Sequence, residues 1–63
     1  MKTGRVKFFN LDKGYGFIID DDTNSDVFFH ATGVMGTVEQ DDQVEFEIET
    51  GKRGKKAVNV KKV

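Results

Sequence analysis

The sequence predicts an all-β fold: a small, closed, five-stranded antiparallel barrel. Three observations carry that expectation. Short runs rich in Val, Ile, Phe and Tyr recur along the chain, each bounded by Gly, Asn, Asp or Thr. No helix-length window carries apolar residues at helical spacing. Sixty-three residues without a cysteine leave room for one core, with no disulfide or thiolate metal site to supplement it.

Gly4 to Asn10 reads as the first strand. Strict alternation would put Val6 with Phe8 and Lys7 with Phe9, and neither set is cleanly apolar. A bulge resolves the conflict, so Val6 and Phe9 are expected inside, with Lys7 and Phe8 outside. Asn10-Leu11-Asp12-Lys13-Gly14 is a turn, with Asn and Asp supplying local hydrogen bonds and Gly a permissive φ. The second strand, Tyr15 to Asp20, puts Tyr15 and Phe17 on the face of Lys13, and Gly14, Gly16 and Ile18 on the other. Asp20 to Asp26 is an acidic loop whose four aspartates should lie away from any phosphate chain. In the third strand, Val27 to His30, alternation turns Val27 and Phe29 inward and Phe28 and His30 outward.

Ala31 to Asp42 is a longer connection. Gly33 and Gly36 argue against a full helix, although one short turn fits, and Val34 and Val38 are expected to reach the core. Gln43 to Thr50 is the clearest strand, with Val44, Phe46 and Ile48 alternating with Glu45, Glu47 and Glu49. Its glutamate face excludes a polyanion. Thr50 to Gly54 forms a hairpin loop carrying Lys52 and Arg53, and Lys55 to Val63 is the last strand. There Val58 and Val60 are expected on one face, Ala57 and Asn59 on the other. Its lysines would serve either to guard an edge strand or to hold phosphates.

A three-strand meander, a longer connection and a closing hairpin fit a Greek-key barrel of the OB type, in one domain over residues 1–63. An SH3-like barrel is the alternative. About a dozen apolar positions are available; each contributes ~1.5–3 kcal/mol when buried, before chain entropy is subtracted. Net stability of a few kcal/mol is expected. A domain so small would leave Phe8, Tyr15, Phe17 and Phe28 in water only for function.

The net charge of −1 looks wrong for a nucleic-acid binder, but the charge is unevenly placed. Residues 1–19 hold four basic side chains against Asp12, residues 20–50 hold ten acidic side chains and no Lys or Arg, and residues 51–63 hold six basic side chains and no acid. Screening acts over roughly 8 Å at physiological salt, so a local patch outweighs the total. A fold that joins the two ends would present a positive face and a negative back. Flat rings beside cations match the bases and backbone of an unpaired nucleic acid strand.

Other chemistry finds little support. His30 stands without a second His or a Cys, so no metal site is expected. No Ser-His-acid set or phosphate loop is present, so neither catalysis nor a cofactor is expected. An RNA-recognition motif shares the Lys-Gly-aromatic-Gly-Phe string but needs helices that this chain lacks. A peptide-binding module using the same aromatic face is the competing reading. Met1-Lys2-Thr3 leads straight into strand-like sequence, and no apolar run approaches membrane-spanning length. A cytoplasmic monomer without signal peptide or membrane partner is therefore expected.

Lys13 to Ile18 and Val27 to His30 resemble the first and second ribonucleoprotein motifs of the bacterial cold-shock proteins, and the first strand and closing hairpin extend the likeness over almost the whole chain. The resemblance implies an OB-type barrel binding single-stranded RNA or DNA, in bacteria often as an RNA chaperone. It implies base stacking by Phe8, Tyr15, Phe17, Phe28 and His30. Backbone or base contacts are implied for Lys7, Asn10, Lys13, Asp26 and Arg53. The chain departs from the family pattern at Phe8, where Trp is usual, and at Ala31, where an aromatic normally follows the His. The 31–42 connection is also shorter and lacks a loop aromatic. Fewer stacking positions imply a weaker or shorter footprint.

Overall fold

The structure, a computed structural model, describes residues 1–52 and 54–63. Five strands form it: β1 (Lys2–Asn10), β2 (Tyr15–Asp20), β3 (Asp26–His30), β4 (Gln43–Gly51) and β5 (Gly54–Lys62). A single 3-10 turn, Ala31–Gly33, follows β3 and is the short turn that the two glycines allow. The strands close in the order β1-β2-β3-β5-β4, which is the OB arrangement and not the SH3-like one. Four of the pairings are antiparallel. β3 and β5 instead run parallel, through Phe28↔Lys56 and Phe29↔Ala57. A parallel pair requires a long crossover, and the 31–42 connection together with β4 supplies it.

The bulge in β1 is where the side-chain pattern requires it. Val6 faces Ile18 while Phe8 faces Phe17, so β1 uses one more residue than β2 at Lys7. Val6 is therefore buried and Phe9 packs on the core, whereas Lys7 is exposed. Gly16 permits the close crossing of these elements. A Cβ there would meet the Phe8 carbonyl oxygen and lie 2.8 Å from two ring carbons of Phe29, which fills the barrel.

Eight side chains make the core, namely Val6, Ile18, Phe29, Val38, Val44, Phe46, Ala57 and Val60, with Phe9, Val27, Val34 and Ile48 packed against them. β5 departs from the expected alternation, because Ala57 and Val60 are both buried and Val58 is only half-buried. Asn59 has a φ of 52°, and β5 has two residues, Asn59 and Val60, between the partners of Glu45 and Glu47 where β4 has only Phe46. This second bulge inverts the facing of the strand and trades Val58 for Ala57 in the interior. β5 also has β4 on one side and β3 on the other, so edge protection does not explain its lysines.

Asp20 is not a solvated loop residue. It ends the inward face of β2, 3% exposed, and closes one end of the barrel. Its carboxylate accepts from the Asp22 N–H at 2.8 Å and lies 3.0 Å from Lys2 Nζ. Burial disfavours the charged carboxylate, but the Asp22 N–H, the Lys2 ammonium and the Thr23 N–H outweigh it and hold the Asp20 pKa below its ordinary value. The hydrogen bond that the Lys2 ammonium donates to Asp20 raises the pKa of Lys2, against the opposing effect of burial.

Candidate nucleic-acid interface

Strand register assembles the aromatic residues in two rows. Phe8, Phe17 and Phe28 are cross-strand neighbours over β1, β2 and β3, and Asn10, Tyr15 and His30 form the next row. Cross-strand side chains on one face lie close enough to touch, and here every ring does. Phe8 stacks on Phe17 at 5.8 Å between centroids and Tyr15 on Phe28 at 5.9 Å. Edge contacts link Phe8 with Tyr15 and Phe17 with Phe28, both at 5.8 Å, and Phe28 with His30 at 5.3 Å. None of these rings belongs to the core or packs among its partly buried members. The four large rings are half-buried because they shield one another, while His30 is exposed.

The polar residues predicted for the site are placed less uniformly. Lys7 points outward at the bulge, and its Nζ lies 3.0 Å from Asp26 Oδ2. Asp26, the first residue of β3, therefore occupies a predicted cation of the site. Both side chains are about half-exposed, so the pair contributes at most ~1 kcal/mol and exchanges readily for another anion. Asn10 works locally: its Oδ1 accepts from the Lys13 N–H at 3.1 Å and its carbonyl from the Gly14 N–H at 2.8 Å. This closes the turn that presents exposed Lys13, with Gly14 at a φ of 74°. Arg53 lies outside the described residues.

The charge blocks do not separate into two clean faces. Central acids instead pair with terminal-block cations: Asp20 and Asp22 with Lys2, Asp26 with Lys7, Glu49 with Lys56, and Asp42 with Lys62. Among the described residues, no carboxylate pairs with Lys13, Lys52 or Lys55. The glutamate face is likewise split. Glu47 is exposed and stands apart, but Glu49 reaches the border of the aromatic strip, where it lines a cavity of about 510 Å³ with Phe28, His30, Lys52, Lys55 and Lys56. The sequence offered the lysine cluster of β5 as a signal. It could not offer its neighbour, because Lys56 meets Phe28 only through the parallel β3–β5 pairing.

Among the described residues there is no His, Cys, Asp and Glu cluster able to hold a metal ion, and no helix long and apolar enough to cross a membrane. An OB barrel with a contiguous outer strip of rings flanked by cations defines a class, that of the small nucleic-acid-binding barrels. Residues 2–63 match the family described as the 'Cold-shock' DNA-binding domain. The major cold shock protein of Micrococcus luteus is 43% identical over the full length of both chains. Cold shock-like protein CspG of Escherichia coli is 50% identical over 92% of this chain and 89% of its own. Cold shock protein CspB of Bacillus caldolyticus is 48% identical over the full length of both. The solved structure of "drosophila Unr CSD456" superposes with a TM-score of 0.84 at 25% identity, covering 98% of this chain and 26% of that one. The chain belongs to the cold-shock domain family, and it is a nucleic-acid-binding protein.

Proposed function

We propose that the ligand is an unpaired RNA or DNA strand whose bases stack on Phe8, Tyr15, Phe17, Phe28 and His30. Lys7, Lys13 and Arg53 hold its backbone, and Asn10 and Asp26 contact bases or sugars at the border of the strip. The observation that supports this most is the unbroken ring-to-ring contact from Phe8 to His30, on the outer surface and apart from the core. Every base has a flat face, so such a strip is tolerant of sequence. Bases paired inside a duplex do not offer those faces. By mass action, the protein draws a folded transcript toward its open form to the extent that it prefers that form. It thus works as a monomeric cytoplasmic RNA chaperone, by binding alone and without catalysis.

The test is a fluorescence titration of a short oligo-pyrimidine, and of the same strand in a duplex, across a range of salt. The single strand is expected to bind with log K falling by roughly 0.7 per phosphate contact for each tenfold rise in salt, and the duplex to bind far more weakly. Equal affinity for the duplex, or binding indifferent to salt, would refute the reading.

A further inference from the structure

Phe28, Lys56 and Glu49 are successive partners across β3, β5 and β4. Neighbouring strands are about 4.8 Å apart, so Lys56 emerges one strand-spacing from the ring on which a base would lie. A stacked nucleotide carries its phosphates at its edge. Phe28 itself lines the cavity bounded by His30, Glu49, Lys52, Lys55 and Lys56, so this cavity adjoins the ring. The volume of about 510 Å³ suits a nucleotide-sized group. Three lysines against one glutamate leave the lining positive, and Lys56 Nζ is held 3.6 Å from Glu49 Oε1. Both partners of that pair are about half-exposed, so it is weak and easily exchanged.

We propose that this cavity is a backbone-phosphate subsite, in which Lys55 and Lys56 bind the phosphate of the nucleotide stacked on Phe28. Glu49 occupies Lys56 in the free protein and is displaced by the phosphate, so it sets how strongly the subsite binds. The subsite rests on the single-strand reading above and extends it by two cations and one opposing acid. Its position also accounts for paired lysines on a strand that has neighbours on both sides.

The experiment compares the salt dependence of oligo-pyrimidine binding in four proteins: wild type, Lys55→Ala/Lys56→Ala, Glu49→Gln, and Lys61→Ala/Lys62→Ala. The last removes the same charge from the far end of β5, outside the cavity lining. Loss of Lys55 and Lys56 is expected to make the slope shallower by about 1.4, two contacts at roughly 0.7 each. Glu49→Gln is expected to raise affinity roughly twofold to fivefold at low salt, by removing a neighbouring like charge from the phosphate. Loss of Lys61 and Lys62 should leave the slope close to wild type. A wild-type slope in Lys55→Ala/Lys56→Ala, an equal change in the Lys61→Ala/Lys62→Ala control, or no gain from Glu49→Gln would each overturn the subsite. Failure of the wild-type protein to bind the strand would instead overturn the single-strand reading itself.

Discussion

Replacing Phe28 by alanine tests the aromatic strip at the ring that joins His30 to the other three. Phe28 stacks with Tyr15 at 5.9 Å and meets the edges of Phe17 at 5.8 Å and His30 at 5.3 Å. One lost stacking surface costs ~1–3 kcal/mol of binding. Tyr15 and Phe17 also lose a ring that fixes their orientation, which places the expected loss near 2 kcal/mol, or ~30-fold in Kd. The fold pays less, since Phe28 lies outside the core. Its three ring contacts, taken at the low end of ~0.5 kcal/mol each, amount to about 1.5 kcal/mol. In so small a domain that lowers Tm by roughly 6–12 °C. Fluorescence titration with an oligo-pyrimidine, run beside urea unfolding of the same sample, separates the two effects. Phe28→Leu serves as the second variant, keeping apolar bulk without a flat face; it should stay folded and still lose affinity. A folded Phe28→Ala protein that binds within about twofold of wild type would refute the stacking assignment.

Three further perturbations test the architecture around the strip. Gly16→Ala drives a methyl against the Phe8 carbonyl and to within 2.8 Å of the fully buried Phe29 ring, so overpacking should cost about 3 kcal/mol; an unchanged Tm by circular dichroism would contradict the crossing geometry. Asp20→Asn should flatten the acid limb of stability. The folded pKa of Asp20 is depressed, so its contribution is present above the unfolded value of about 3.9 and is lost as pH falls through the folded one. The raised pKa of Lys2 confines the partner's contribution to pH below its own folded value. Urea unfolding of both proteins across acid pH checks this, and parallel pH profiles would disprove it. Glu47→Ala should leave oligonucleotide affinity unchanged, since Glu47 is exposed and lines no part of the cavity beside Phe28; a large loss would put its face in the binding surface.

Local pattern alone determined much of this protein. The alternation of Tyr15 to Asp20 and of Gln43 to Gly51 fixes which side chains face inward, because a strand offers only two faces. The conflict between Val6-Phe8 and Lys7-Phe9 already announces the first bulge, since no unbroken strand accommodates both sets. The outward rings follow from those facings, and with them the character of the surface. Tertiary structure decided what depends on partners distant in sequence. The left-handed Asn59 inverts β5 only in answer to its register with β4, so Ala57 and not Val58 enters the core. Asp20, on the inward face of β2, stays charged there because Lys2, eighteen positions earlier, pairs with it. Whether the acids of the middle block repel a polyanion from afar or occupy its cations directly is likewise a matter of closure. Asp26 finds Lys7, and Glu49 finds Lys56, only once five strands have met in a ring, because charge in a sequence has a sign but no neighbours until the chain folds.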